Sequence, residues 1–453
     1  MKRLLSLLFV LMFAVVLVAC NGTKDTTDTT GSTEPPTSSE PDEEPDDRTV
    51  ITLAHWGIGT EAENNLWRRR VKRFNETNKN IRIEIVTHEG NWDQWLQNKA
   101  SAGELPDVFI VNSVPDAALA GWARNIYDLV SEDEEWNNIP KALRESITYA
   151  EDKVYAVPAA YHYLGYFANL TLIGETGSKA PFHTYDYTLE DFLDVVNRAK
   201  DVSGVTDGTG TIGLDASTEL INWLPSVYDE TGTIKHFVWN GEKFAYNSEA
   251  MIKMLEKAAE IFEQKLAFNA FSDAKIDDQP SERETLFGTN DFNQAFATGK
   301  MAFRWGATWD AAWYYENTKD SYIVDFIGLP GKRVVGVSDY FVISKATQHP
   351  EEAYEVAKYL TFGEQGIEDM FDIIEEAWEE EEVVLTVNGL PLNESEDILN
   401  KWFNYYPLPG FKKIYELEKQ GEFTVLMEGN KYVPGFSQAR WNYDTGIEAT
   451  ISR

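Results

Sequence analysis

Cysteine is almost absent from this sequence: among 453 residues, the only one is Cys20. A chain with a single thiol cannot form an internal disulfide, so its folded part must depend on a large hydrophobic core. A catalytic zinc site is disfavoured too, because the six histidines show no His-x-x-x-His spacing and have no cysteine beside them. We expect neither a metal nor a cofactor.

Basic residues are also scarce. The chain has 40 Lys and Arg against 75 Asp and Glu, which gives a formal net charge of −35. Binding to phosphate groups needs the opposite sign, so this balance argues against nucleic acid as a partner and disfavours direct binding to anionic lipid headgroups. Colloidal solubility of an exported protein suffices to explain most of this charge.

Motifs for covalent or nucleotide chemistry are missing. There is no Gly-x-Ser-x-Gly elbow. The segment Gly208–Gly213 has the spacing of a dinucleotide-binding loop, but it follows a predicted helix at Leu189–Lys200 and leads into a strand-like run. Because a nucleotide loop needs a strand before it and a helix after it, we interpret the segment as a turn. The sequence does not predict an enzyme.

Long apolar runs are rare, and the one that is present lies at the start of the chain. Lys2-Arg3 precedes an apolar run from Leu7 to Ala19 that ends in a small residue, a pattern typical of a secretory signal peptide over residues 1–19. Residues 21–48 then contain nine carboxylates and no Leu, Ile, Val, Met or aromatic residue. We expect residues 20–48 to form a disordered acidic linker.

The remaining residues, from Thr49 onward, are more than one core usually serves, which predicts two domains. Val50–Trp56 is a β-rich run, and Thr60–Glu63 offers a capping box for a following helix. Ile81–Ile85 alternates with period two, a helical stretch from about Trp92 to Ala102 ends at Gly103, and Val108–Val111 is another apolar strand. This alternation of strands and helices predicts an α/β fold with a parallel sheet.

Ligands of such sheets bind beyond the carboxyl ends of the strands. That rule alone selects Trp56, Gly57, Asn112 and Ser113 as candidate contacts.

Several separated motifs, in order, carry a resemblance to a known family. They are the sequence Leu17-Val18-Ala19-Cys20, the strand ending in Trp56-Gly57, and the segments 102–108, 153–158, 296–303, 328–331 and 342–353. Each motif is weak alone, but together they resemble the family 1 extracellular solute-binding proteins of bacterial ABC importers, and the carbohydrate-binding members look closest.

The resemblance implies a two-lobed periplasmic-binding-protein fold that closes on its ligand by hinge bending. The first lobe would hold residues 49–157 and about 304–375, and the second would hold 158–303 and about 376–453. A third crossing would lie near 370–385, where the run Glu375–Glu382 is interpreted as a solvated helix or loop. The resemblance also implies a bacterial lipoprotein, cut before Cys20 and acylated on it, and anchored at the extracytoplasmic face of the cell membrane.

Ligand chemistry is suggested by 14 tryptophans and 21 tyrosines, because flat sugar faces stack on aromatic rings. Most of these rings must belong to the core. By position and resemblance, the aromatic candidates are Trp56, Tyr161, Tyr163, Trp309 and Trp441. The polar candidates, which would bind hydroxyl groups, are Glu61, Asn112, Asp310, Asp339 and Arg440.

The predicted function is therefore a monomeric, lipid-anchored receptor that delivers a carbohydrate, expected to be an oligosaccharide, to the permease subunits of an ABC importer. Three alternatives stay open at this point. A lipid-anchored glycoside hydrolase would also need carboxylates and aromatic subsites. A member of the same family could bind a solute other than a sugar, and a surface adhesin would account for the lipid and the acidic surface.

Overall fold

The computed structural model describes residues 46–201, 208–271, 279–379, 385–387, 389–428, 433–436 and 439. Within this part, the compact folded unit begins at Asp47, and the first strand, Thr49–Ala54, lies where the sequence indicates a β-rich run.

The strands of the described part are β1 (Thr49–Ala54), β2 (Ile81–Ile85), β3 (Val108–Val111), β4 (Thr148–Ala150), β5 (Lys153–Val154), β6 (Val157–Asn169), β7 (Ile212–Leu214), β8 (Met301–Ala307), β9 (Val324–Gly328), β10 (Arg333–Ile343) and β11 (Thr424–Met427).

The α-helices of the described part are α1 (Leu66–Thr77), α2 (Trp92–Ala102), α3 (Val114–Leu119), α4 (Tyr127–Ser131), α5 (Lys141–Ser146), α6 (Leu170–Glu175), α7 (Leu189–Arg198), α8 (Leu220–Tyr228), α9 (Glu249–Glu263), α10 (Glu282–Phe287), α11 (Phe292–Ala297), α12 (Ala311–Thr318), α13 (Pro350–Tyr359), α14 (Glu364–Glu379), α15 (Glu396–Trp402) and α16 (Pro409–Lys419). Short 3₁₀ turns lie at Glu61–Glu63, Glu134–Asn138, Phe182–Thr184, His236–Val238, Phe268–Ala270, Thr308–Asp310 and Phe403–Tyr405.

One mixed sheet organises the fold, with strand order β2-β1-β3-β10-β6-β8-β7, while β11 pairs with β10 and β9 pairs with β6. The parallel pairs β1–β2 and β1–β3 confirm the predicted alternation of strands and helices over residues 49–111. Strand β6 is 13 residues long and buried throughout. It pairs with β10 through residues 157–162, and with β8 and β9 through residues 164–169. The sheet therefore has two sections that share β6 and β10.

The helix after β1 begins later than the sequence suggested. The capping box formed by Thr60 and Glu63 is present, but it closes only the 3₁₀ turn Glu61–Glu63. Asn64 then takes a left-handed conformation (φ 42°), and the α-helix starts after Asn65, whose side chain accepts a hydrogen bond from the Arg68 backbone. A second good N-cap residue thus displaces the helix start by several positions.

Other local predictions are confirmed. Helix α2 spans Trp92–Ala102 and ends at Gly103, which has the left-handed conformation (φ 72°) typical of a helix C-cap. The glycine-rich segment leads into strand β7, so the helix that a nucleotide loop requires does not follow it. Gly213 has no room for a side chain, because a Cβ there would lie 2.4 Å from the Cα of Val196 on α7.

The predicted lobe boundaries stay predictions, but the neighbours of the later helices can be stated. Helix α14 packs against α1, and α16 packs against β9. Between these helices, the Leu390 backbone amide donates a hydrogen bond to the Tyr161 carbonyl of β6. No helix among the described residues is long and apolar enough to cross a membrane.

Candidate functional site

The sheet brings two sets of strand ends together at the middle of β6. Strands β1 and β3 run parallel to β6, whereas β7 and β8 run opposite to it. The carboxyl ends of both sets therefore point toward residues 162–164. Because ligands of α/β sheets bind beyond the carboxyl ends of strands, this convergence defines the candidate site.

The end of β1 carries His55 and Trp56. The Trp56 ring lies edge-to-face with Trp92, with 5.9 Å between ring centroids. The His55 ring is buried against Trp67 at 4.3 Å, and its Nδ1 accepts a hydrogen bond of 2.8 Å from the Gly57 amide. Burial lowers the pKa of His55 to about 4, although the nearby Asp339 carboxylate acts in the opposite direction. His55 is therefore a neutral packing residue that fixes the turn at Gly57.

A polar pocket of about 240 Å³ lies at the end of β3. Its lining residues come from α2, from the end of β3 and from α3 with the turn after it: Asp93, Leu96, Gln97, Val111, Asn112, Ser113, Asp116, Ala117 and Trp122. The Asn112 side-chain amide donates to Asp93 Oδ1 at 3.1 Å. Ser113 caps α3 by accepting a hydrogen bond from the Asp116 amide at 3.3 Å. The polar groups of this pocket are thus oriented by one another.

The same pocket contacts a segment near the end of the chain. The Gly435 amide donates to Asp116 Oδ1 at 3.1 Å. The next residue, Phe436, is buried with its ring 5.2 Å from Trp239 and 4.7 Å from Phe244. Asp116 therefore ties the first section of the sheet to an aromatic cluster that lies far away in sequence.

An aromatic surface lies at the end of β8. Trp309 follows this strand and stays 51% exposed. Its ring lies edge-to-face with His162 of β6, with 4.8 Å between centroids and an interplanar angle of 75°. His162 Nδ1 in turn lies 2.7 Å from the Thr308 hydroxyl. The Trp309 ring is thus held at one edge while much of it remains open to solvent.

Two candidate carboxylates lie on the strands and turns of this region, Asp310 next to Trp309 and Asp339 near His55. Asp310 Oδ2 accepts a hydrogen bond of 2.9 Å from the Ala307 amide, so it stabilises the turn that presents Trp309. Burial raises the pKa of the Asp310 carboxyl above its usual range, and the Ala307 hydrogen bond opposes that change. Asp339 is half-buried on β10, opposite Ala160 of β6, in the stretch where the sheet passes from one section to the other.

Tyr161 and Tyr163 lie on the opposite face of β6 from His162, because side chains alternate along a strand. Their rings are 5.7 Å apart, and both are buried, Tyr163 completely. Burial raises the pKa of each phenol. In this conformation they pack beneath the strand, and a direct contact with ligand stays a prediction.

A buried ion pair supports the end of β8 from behind. Asp215, just after β7, accepts hydrogen bonds from Arg304 Nη1 at 2.7 Å and from the Trp305 amide at 2.8 Å. Arg304 also lies near the ring of Phe292, with its Cζ 5.6 Å from the centroid. Desolvation by burial raises the pKa of Asp215, although Arg304 counteracts this. The pair fixes the position of half-buried Trp305 beside the candidate site.

The remaining predicted residues are placed as follows. Glu61 is exposed in the 3₁₀ turn between β1 and α1. Arg440, Trp441 and Cys20 lie outside the described residues. Sequence reasoning missed His162, and the one signal that could have found it is its position between Tyr161 and Tyr163 in a strand. Among the residues that the structure describes, no group of three or more His, Cys, Asp or Glu side chains is placed to hold a metal ion.

The fold is that of solved ABC substrate-binding proteins. The sequence profile of the bacterial extracellular solute-binding protein family matches residues 59–366, about two thirds of the chain. The chain belongs to this family. It is 25% identical over 385 residues to an extracellular-binding protein of an ABC transporter from Pyrococcus horikoshii, a match that covers 80% of this chain and 78% of the relative.

Solved structures have the same fold at low identity. The ABC substrate-binding protein from Listeria monocytogenes in complex with cycloalternan superposes with a TM-score of 0.63 at 17% identity, covering 89% of this chain and 94% of that one. A binding protein with mannotriose bound gives 0.62 at 15% identity, with coverage of 89% and 96%. The GacH receptor of Streptomyces glaucescens, studied with acarbose, gives 0.59 at 15% identity, with coverage of 89% and 93%.

Proposed function

We propose that this protein is the receptor of an ABC importer that binds a carbohydrate, an oligosaccharide rather than a monosaccharide, between the two sections of its sheet and delivers it to the permease subunits. The observation that carries the proposal is the half-exposed Trp309 ring, held by His162 where the strand ends converge. An open aromatic face at that point is what a sugar ring needs for stacking.

The chemistry of the polar pocket supports the same proposal. Sugar hydroxyls act as both donors and acceptors, and carboxylate and amide side chains can satisfy both roles. Asp93, Asn112 and Asp116 supply these groups at the end of β3, and the Trp56 ring packs on Trp92, the residue before Asp93 on α2. Glu61, Asp339 and Arg440 are further candidates for hydroxyl contacts, and Trp441 for a second stacking surface.

The similar solved structures add independent support. Their described ligands are cycloalternan, mannotriose and acarbose, all built from several sugar units, and a further neighbour carries stachyose. One neighbour binds the monosaccharide tagatose, so the fold alone does not set the ligand length. The preference for an oligosaccharide rests on the exposed aromatic area, which includes Trp313 as well as Trp309.

Delivery requires no covalent step in this protein. Closure on the sugar would change the surface offered to the permease, and a sugar that binds the closed form more tightly would shift the population toward it. We propose that the receptor acts as a monomer and releases its ligand unchanged.

We also propose that Cys20 carries lipid and anchors the receptor at the extracytoplasmic face of the cell membrane. Two acyl chains give stable anchoring, which a single chain does not. Expression of the full chain and of Cys20→Ser in a bacterial host, with a labelled fatty acid, tests this. Label and membrane retention should be lost with the cysteine, and equal labelling of both chains would contradict acylation at Cys20.

The receptor proposal is tested by calorimetric titration with manno- and malto-oligosaccharides, stachyose and monosaccharides, followed by chromatography of the sugars. We expect saturable one-to-one binding and recovery of intact sugar. Shortened products would instead indicate a hydrolase. Failure of every sugar to bind would overturn the carbohydrate proposal and leave only the family assignment.

A further inference from the structure

The aromatic surface extends beyond Trp309 onto helix α12. We infer that Trp313 forms an outer stacking subsite, which holds a further sugar unit of an oligosaccharide whose inner unit lies on Trp309. This inference rests on the proposed carbohydrate function and names the ligand length that the site favours.

The helix α12 separates its buried and exposed side chains cleanly. The 3₁₀ turn Thr308–Asp310 runs directly into α12, and Ala311, Tyr314 and Thr318 form the buried face. Trp309 and Trp313 are exposed, followed by Asn317 at the same four-residue spacing. Trp309 lies in the 3₁₀ turn and Trp313 in the first turn of α12, so the two tryptophans follow each other closely along the chain and both are exposed to solvent.

Their exposure is unusual for tryptophan. Trp309 is 51% exposed and Trp313 is 44% exposed. The solvent face of a helix is normally polar, and tryptophan is highly buried on average. Two half-exposed indoles in succession on such a face mark a surface that binds something rather than one that only meets water.

Both rings are also held in place. Trp309 meets His162 edge-to-face, and Trp313 meets Tyr314 edge-to-face at 5.1 Å and 84°. Tyr314 is itself buried against Phe167 and donates a hydrogen bond of 3.1 Å to Asn293. Rings fixed in this way lose little conformational freedom on binding, which favours affinity.

The spacing fits consecutive sugar units. Trp313 comes four residues after Trp309, and a rise of roughly 1.5–2 Å per residue through the 3₁₀ turn and α12 separates them by about 6–8 Å along the axis, a distance on the order of one sugar unit. The Trp309 ring contacts His162 of β6, whereas the Trp313 ring contacts Tyr314 on α12 itself. A sugar chain that starts at the convergence of the strands would therefore reach Trp309 first and Trp313 second.

The experiment compares Trp313→Ala with the unchanged full chain in titrations of manno- and malto-oligosaccharides from the disaccharide to the hexasaccharide. Trp313→Phe keeps an aromatic ring, and Ile323→Ala is a matched control because Ile323 is 66% exposed just beyond α12. We expect Trp313→Ala to weaken binding of the longer sugars by about twofold to tenfold and to leave the disaccharide unchanged. Trp313→Phe should recover most of the loss, and Ile323→Ala should show none.

Equal affinity of Trp313→Ala and the unchanged chain at every length would overturn the outer subsite, as would a loss that does not depend on length. In both cases the unchanged chain still binds sugar, so the proposed function stands. If the unchanged chain binds a monosaccharide but no longer sugar, the outer subsite fails and the carbohydrate proposal stands; if it binds no sugar at all, both fail.

Discussion

The two regions that meet at the middle of β6 differ in what they offer a ligand. The pocket at the end of β3 presents carboxylates and an amide that are already hydrogen-bonded to one another or to the backbone, as Asn112 is to Asp93 and Asp116 is to Gly435. The surface at the end of β8 presents indole rings with half of their area exposed. The pocket sets oriented polar groups among apolar side chains such as Leu96 and Trp122, whereas the surface at the end of β8 offers mainly exposed ring area.

This difference predicts a division of labour. A hydroxyl that enters the polar pocket must share groups that already have partners, so its net gain in free energy is small but strongly dependent on orientation. A sugar face that covers an exposed ring removes apolar area from water and meets no competing partner. Affinity should therefore come mainly from the aromatic surface, and discrimination between sugars mainly from the polar pocket.

The largest expected effect concerns folding stability around His55, at the end of β1 in the same sheet section as the pocket. The pKa of His55 falls from 6.5 to about 4 on folding because the ring is buried. Above pH 6.5 the ring is neutral in both states and the stabilisation is complete. As the pH falls from about 6.5 to about 4, only the unfolded chain takes up the proton, so the free energy of unfolding should drop by about 3 kcal/mol.

Urea unfolding at a series of pH values measures this change. His55→Gln cannot take up the proton, so its stability should vary less between pH 7 and pH 4 than that of the unchanged chain. The exposed His183 provides a control, since His183→Gln should keep the original pH dependence. If the free energy of unfolding varied with pH equally in His55→Gln and the unchanged chain, burial of a neutral His55 would not be the cause of the pH dependence.

The second effect concerns the aromatic surface. Replacing Trp309 with Ala should weaken sugar binding by about 1–3 kcal/mol, because a stacking surface is lost where the strand ends converge. Calorimetry measures the affinity, and thermal unfolding checks that stability is kept. Ile252→Ala, which removes an exposed apolar side chain on α9, should bind normally. If Trp309→Ala bound sugar with unchanged affinity, Trp309 would not be a stacking surface, and the proposed function would lose its main support.

The sequence predicted much of the first region for a physical reason. Strands β1 to β3 and helix α2 have local signals, such as alternation, a short apolar run and the Gly103 cap, and their order makes the sheet parallel. Trp56 and Asn112 then follow from the rule that ligands bind at the carboxyl ends of strands.

The second region depends on contacts that no local signal encodes. Strand β6 is buried on both faces, so its sequence has no period-two pattern that could separate His162 from Tyr161 and Tyr163. Which face meets Trp309 is decided by the pairing of β6 with β8, more than 130 residues later. The position of Asp310 after Trp309 predicts a ligand contact, whereas its hydrogen bond with the Ala307 amide depends on the folded turn.

The third effect is smaller and concerns the link between Asp116 and Gly435. Replacing Asp116 with Ala removes the acceptor of the Gly435 amide and should cost about 1 kcal/mol locally. Hydrogen–deuterium exchange of a peptide that includes residues 433–436 should become faster, while exchange in β1 and β3 stays the same. Asp116→Asn retains an acceptor oxygen and should exchange almost as the unchanged chain does. Equal exchange in all three chains would show that the link does not protect this segment.

The smallest effect separates the two faces of β6. His162 contacts Trp309, whereas Tyr163 lies on the other face of the strand. In double-mutant cycles on sugar affinity, Trp309→Ala combined with His162→Gln should deviate from additivity by about 0.5–1 kcal/mol, because the two rings touch. Trp309→Ala combined with Tyr163→Phe should be additive within about 0.5 kcal/mol. If the Tyr163 cycle showed the larger coupling, the tyrosine face of β6 would be the one that lines the site, and the aromatic surface would have to be reassigned to it.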